Sequence, residues 1–175
     1  MSLHGKLLER AAQGKPLRVG MIGAGKFGAM FLAQIPRLTG MHLTAIGDLS
    51  PANARKSLER VGWQPGQYGA DSFDEAVRDG TTWITDDWQS VAACPAIDVI
   101  VECTGHPVAA VEHCLAAFAN GKHVVNVTVE ADAFCGPLLA RRAEQAGVVY
   151  SPFADRWSLS SDMDVNYMVV AEQMA

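Results

Sequence analysis

The chain has 175 residues, 49% of them hydrophobic and 19% charged, with a formal net charge of -5. That composition suits one well-buried domain and excludes a disordered chain, and the acidic balance argues against a nucleic-acid partner. No apolar run approaches the roughly 18 residues that cross a bilayer, and the opening MSLHGKLLER lacks the apolar core of a secretory signal, so a cytoplasmic protein with no membrane partner is expected.

Residues 3–13 carry Leu7, Leu8 and Ala11 at helical spacing and stop at Gly14 and Pro16, which predicts a short leading helix on the sheet edge. A strand follows over 17–22. It runs into Gly23, Gly25 and Gly28, a G-x-G-x-x-G that opens a helix over 26–37 with Phe27, Met30, Phe31 and Gln34 on one stripe. Each glycine has a physical task in such a turn: Gly23 permits the sharp exit, Gly25 leaves room for a pyrophosphate, and Gly28 lets the helix lie close on the sheet. The helix N-terminus favours that anion.

A second strand is predicted over 42–49, and its Asp48 lies 48 − 28 = 20 residues beyond the last motif glycine. A carboxylate at that distance suits the hydroxyls of an adenosine ribose and disfavours a 2′-phosphate, so NAD is preferred over NADP. Arg55 is the one competing phosphate clamp. Ser50 and Pro51 open the next helix, which runs to about residue 61, and the loop over 62–70 holds Trp63 and Tyr68, read as anchors of that loop rather than ligand contacts.

A helix capped by Ser72 and closed by Gly80, a short strand over 81–85 and a short helix over 86–93 come next. The apolar run 97–101 ends in Glu102, Cys103, Thr104 and Gly105 and reads as a mid-sheet parallel strand. His106 and Pro107 start a helix with a stripe of Val108, Val111, Leu115 and Phe118, ended by Asn120 and Gly121. A strand over 123–129, a helix over 133–146 and a strand over 148–151 complete the pattern. Strands alternating with helices throughout predict an α/β fold, a doubly wound parallel sheet, over residues 1–151, with 152–175 as a separate tail.

The segments GKPLRVGMIGAGKFG, AIDVIVECTGHP and NGKHVVNVTVEADAFCGPLLARRAEQAGVVYS together resemble the homoserine dehydrogenase-like oxidoreductases, in particular the subgroup that includes deoxyxylulose phosphate reductoisomerase-like enzymes. The resemblance spans about residues 7–151. It implies an NAD(P)-binding domain, with cofactor contacts at Gly23, Ala24, Gly25, Lys26, Phe27 and Gly28 and with Thr104, Gly105 and Glu130 beside the nicotinamide. It also implies hydride transfer to or from a carbonyl or hydroxyl substrate. Members of that group continue into a substrate domain, whereas PFADRWSLSSDMDVNYMVVAEQMA does not match the stretch expected there. A truncation, a frameshifted tail or a shortened domain would each produce this, and cofactor binding without appreciable turnover is expected.

Glu130 and His106 are the candidate catalytic residues. Glu130 follows a buried strand, where a carboxylate orients a substrate hydroxyl, and His106 is read as a helix cap or as an imidazole reaching the cofactor. Asp132 is read as an N-cap, Lys122 as a solvated residue on the opposite edge, and the four cysteines as reduced buried thiols. His106 and His113 lack a third partner, so no metal is expected. The alternative function is a non-catalytic dinucleotide sensor or interaction module. In that reading Met163, Tyr167, Val170 and Met174 form one apolar helical face that assembles a homo-oligomer.

Overall fold

Six runs of aliphatic and β-branched residues become six strands: β1 (Leu17–Ile22), β2 (Met41–Gly47), β3 (Trp83–Thr85), β4 (Val99–Glu102), β5 (His123–Asn126) and β6 (Tyr150–Pro152). Between and before them lie α1 (Leu3–Ala12), α2 (Lys26–Gln34), α3 (Pro51–Arg60), α4 (Phe73–Asp79), α5 (Trp88–Ala93), α6 (Pro107–Ala119) and α7 (Val129–Ala146). The structure is a computed structural model that describes residues 3–152, so the apolar face at Met163 to Met174 lies outside the described residues. All five strand pairings are parallel, and the order is β3-β2-β1-β4-β5-β6. The chain works outward from β1 to β3 and then crosses back to β4, so the order reverses between β1 and β4. A crevice opens there, outside the carboxyl ends of the strands.

Alternation along each strand divides the core into two layers. Val19, Met21, Val99, Val101 and Val125 pack with Leu7, Phe31, Leu32 and Leu58 on one face. Ile22, Ile100 and Val124 pack with Val91, Cys114, Phe118 and Leu139 on the other. Helices α1 to α3 therefore cover one side, and α5 to α7 cover the other.

Two helices turn differently from the predicted stripes. In α2 the inward residues are Gly28, Phe31 and Leu32, while Phe27 and Met30 remain exposed. In α6 the inward residues are Ala110, His113, Cys114, Ala117 and Phe118, while Val108 and Leu115 stay outside. Small residues decide both cases: Gly28 in α2, and Ala110, Cys114 and Ala117 at spacings of four and three in α6, let a helix approach its neighbour more closely than a stripe of large side chains would.

The carboxyl end of α2 shows why Trp63 belongs to the scaffold. Pro36, in a single 3-10 turn (Ile35–Arg37) that extends α2, has no N–H with which to meet the Leu32 carbonyl one turn back. The indole Nε1–H of Trp63 donates to that oxygen at 2.7 Å. Tyr68 is buried as well, its hydroxyl donating to Glu59 at 3.3 Å. Both aromatics anchor the loop, as expected.

Lys122 departs from the expectation of a solvated residue: it is only 6% exposed. The tight turn into β5 draws it under the sheet edge near Cys94 and Asp98, and burial pulls its ammonium below the usual lysine range. No described helix is long and apolar enough to cross a membrane. Replacing Trp63 with Phe keeps an aromatic side chain but removes the indole N–H from the Leu32 carbonyl and leaves some of the buried space unfilled, so unfolding in urea should become easier by about 2–3 kcal/mol with an unchanged m-value.

Candidate functional site

The crevice is built around the glycine turn. Gly23 has φ 90°, and a β-carbon on it would lie 2.8 Å from the Thr104 backbone. A β-carbon on Gly28 would lie 2.9 Å from the Gly23 carbonyl and 3.0 Å from the Met21 methyl. These two glycines serve the packing of the turn. Gly25 is different, because a β-carbon there would meet nothing within 4 Å.

Helix α2 starts immediately after Gly25 with no side-chain cap and no acid in its first turn, and its first residue is Lys26. Ser72, Asp87 and His106 cap α4, α5 and α6 with their side chains, whereas α3 and α7, like α2, start without one. A lysine at a helix N-terminus opposes the usual charge preference and suits an anion held between the two.

Asp48, at the end of β2, ties the turn in place. One carboxylate oxygen accepts from Ala24 N and the other from Ser50 N, each at 2.8 Å. Ser57 donates to the Ala24 carbonyl at 2.8 Å, and the Cys103 thiol donates to the Gly23 carbonyl at 2.9 Å. Burial, with the carboxylates of Glu102 and Asp48 nearby, raises the Cys103 thiol well above its usual range, which keeps it a proton donor.

Two clefts meet at Gly25 and Thr104. The smaller, of about 410 Å³, is lined by Gly23, Asp48, Leu49, Asp86, Trp88 and Glu112. The larger, of about 630 Å³, is lined by Lys26, Phe27, Thr104, Gly105, Val127 and Glu130. The structure thus gathers the predicted glycines, Asp48, Thr104, Gly105 and Glu130 around one crevice.

It does not bring the two predicted catalytic residues into one cleft. His106 lines the smaller cleft, where its Nδ1 accepts from Ala109 N at 3.3 Å as the cap of α6, while Glu130 lines the larger one. Arg55 is exposed on α3 and lines neither cleft.

The segment after β5 also differs from expectation. The strand stops at Asn126, and α7 begins at Val129 rather than near 133. Asn126 causes this, because its Oδ1 accepts from Thr128 N and its Nδ2 donates to Thr128 O, both at 3.2 Å, turning the chain early. Asp132 is consequently inside the helix and not its cap. It accepts from the Tyr150 hydroxyl at 3.0 Å, and Tyr150, mainly through burial, is raised above the usual phenol range.

Glu102 is the functional-site residue that the sequence reading passed over. It is fully buried at the end of β4. It accepts from the Thr104 hydroxyl at 2.6 Å and from the Thr128 hydroxyl, and it pairs with His113 Nδ1 at 3.1 Å. The ring of His113 in turn meets Trp88 edge-on, 4.4 Å between centroids. The available signal was one acid closing an otherwise unbroken apolar run.

Comparison with known proteins follows this geometry. Residues 23–152 match the family model described as homoserine dehydrogenase, NAD binding domain. The chain belongs to that family. Among solved structures, a homoserine dehydrogenase from Thiobacillus denitrificans is 25% identical with a TM-score of 0.57, over 78% of this chain and 29% of that one. Biliverdin reductase from Synechocystis sp. PCC 6803, in complex with biliverdin and NADP+, is 21% identical with a TM-score of 0.56, over 78% of this chain and 37% of that one.

Curated relatives match short stretches only. A ubiquinone biosynthesis O-methyltransferase of Bradyrhizobium sp. (strain ORS 278) is 59% identical over 66 residues, 36% of this chain and 26% of that protein. Its counterpart in Nitrobacter winogradskyi is 93% identical over 29 residues, 17% of this chain and 11% of that protein. The chain thus spans about a quarter or less of the curated relatives it matches.

Because Gly23 combines a left-handed backbone with backbone contact to Thr104, Gly23→Ala should destabilise the fold by about 2–3 kcal/mol in denaturant unfolding.

Proposed function

We propose that this chain is the dinucleotide-binding part of an oxidoreductase and that it binds NAD in preference to NADP. The observation that carries the reading is the unfilled space at Gly25, set at the uncapped start of α2 and joining two clefts of unlike character. The pyrophosphate lies over Gly23, Ala24, Gly25, Lys26, Phe27 and Gly28, with backbone N–H groups and Lys26 meeting its charge. The adenosine half occupies the smaller cleft, with Asp48 receiving the ribose hydroxyls. The nicotinamide occupies the larger cleft beside Thr104, Gly105 and Glu130.

Charge supports NAD. Among the described residues the smaller cleft is lined by three carboxylates, Asp48, Asp86 and Glu112, and by no lysine or arginine, which disfavours a 2′-phosphate there. Position divides the two predicted catalytic residues. Glu130, exposed in the first turn of α7, orients a substrate hydroxyl. His106, tied into its helix cap on the other side, contacts the dinucleotide instead. The nicotinamide supplies hydride chemistry when bound. The protein's part is to fix its position and exclude water from one face, and the carbonyl or hydroxyl substrate belongs to the complete enzyme.

Gly25→Val tests the reading. Its β-carbon meets no protein atom, and valine is a poorer N-cap than glycine, so the loss of stability should stay within about 1 kcal/mol while enhancement of NADH fluorescence on binding disappears. An unchanged titration would overturn the assignment. In the wild type, NADPH should bind at least about tenfold more weakly than NADH, a gap of about 1.4 kcal/mol.

A further inference from the structure

We infer that Glu102 is a positioning residue for the larger cleft: its carboxylate fixes two threonine hydroxyls and through them the two adjoining turns, after β4 and after β5, that line that cleft. The inference rests on the proposed placement of the nicotinamide there. A carboxylate removed from water is costly unless every oxygen is satisfied. The fully buried Glu102 meets that demand with the Thr104 hydroxyl at 2.6 Å, Thr104 N at 3.3 Å, His113 Nδ1 at 3.1 Å and the Thr128 hydroxyl.

A hydroxyl has one proton, and donating it to Glu102 settles where its lone pairs point. The Thr128 oxygen then accepts from Gly105 N at 3.0 Å, and the Thr104 oxygen accepts from His106 N at 3.2 Å. The turn after β4 is thereby fastened to the turn after β5. Asn126 holds Thr128 from its other side through both backbone groups.

Three features separate this from ordinary core satisfaction. Of the carboxylate's side-chain partners, Thr128 lines the larger cleft alone, Thr104 stands where the two clefts meet, and His113 lines the smaller. The backbone groups that those hydroxyls receive, Gly105 N and His106 N, lie in the turn that separates the larger cleft from the smaller. Glu102 itself has no exposed surface, so it acts on a ligand only through these residues. A neutral side chain of the same shape fills the volume but loses the charge that orders both hydroxyl protons.

The experiment compares NADH with ADP-ribose, which carries the same adenosine and pyrophosphate but no nicotinamide. Binding of each is measured by calorimetry, and of NADH also by fluorescence, for wild type, Glu102→Gln, Thr128→Val and Thr128→Ser. Thr128→Val should weaken NADH by roughly tenfold, the loss of one charge-assisted hydrogen bond, and leave ADP-ribose within about twofold, while Glu102→Gln, whose partners Thr104 and His113 also line the smaller cleft, should weaken NADH more than ADP-ribose. Thr128→Ser keeps the hydroxyl and should restore NADH affinity. Equal losses for both ligands, or NADH binding untouched in Thr128→Val, would overturn the inference while the proposed function stands. If Glu102→Gln fails to fold, the Thr128 pair decides the matter alone. A wild-type protein that binds neither ligand overturns both readings.

Discussion

The close approach of Gly23 to the Thr104 backbone is the constraint on which the rest of the site depends. It occurs where the strand order reverses, so the two chain segments that meet there diverge on opposite faces of the sheet. Any side chain at Gly23 would push the turn after β4 away from the turn after β1. The clefts on either side share Gly25 and Thr104, and they form one continuous crevice only because that contact is made without side-chain atoms between. Three further bonds, from Ala24 N to Asp48, from Gly23 N to the Gly47 carbonyl at 2.8 Å, and from the Cys103 thiol to the Gly23 carbonyl, hold the turn from both sides.

The two ends of the sheet use their polar groups for different ends. At the amino end Asp98 accepts from Arg18 N at 2.8 Å and faces Arg10 at 3.6 Å, tying α1 to β1 and β4. That edge is structural, and the burial of Lys122 belongs to it. At the carboxyl end the polar groups converge from β2, β4, β5, α6 and α7 on a crevice that no side chain of the described residues fills. In a parallel sheet every strand points the same way, so all the turns that leave the strands collect at that one end.

Much of this was legible in the sequence because backbone requirements leave strong marks. The glycine spacing, the unbroken apolar run 97–101 and the alternation of strand and helix led directly to the sheet and to the crevice. What stayed hidden depends on partners distant in the chain. The inward faces of α2 and α6 are chosen by small residues that fit a particular neighbour, and hydrophobic periodicity alone weights the larger Phe27, Met30 and Val108 more heavily. The early start of α7 needs the Asn126 side chain folded back on Thr128, a contact that no local helix signal announces. Glu102 read as the end of a strand since nothing nearby in sequence shows that Thr128 and His113 surround it.

The two carboxylates at the ends of β2 and β4, the strands that flank β1, illustrate how environment assigns different tasks to the same chemical group. An ionised carboxylate offers about four lone-pair positions. Glu102 is met by four polar groups, three at Oε1 and the Thr128 hydroxyl at Oε2, and has no exposed surface, so it reaches no ligand directly. Asp48 accepts two bonds, from Ala24 N and Ser50 N, and remains partly exposed on the wall of the smaller cleft. Its remaining positions match the two hydroxyls of a ribose in the proposed role. Those two backbone bonds also fix the direction in which the unused lone pairs point, so the residue that shapes the glycine turn is suited to measure the distance from pyrophosphate to sugar. The same logic separates the residues that build this site from those that touch its ligand: a polar group enclosed by protein partners positions others, and one with capacity left over at the cleft wall binds.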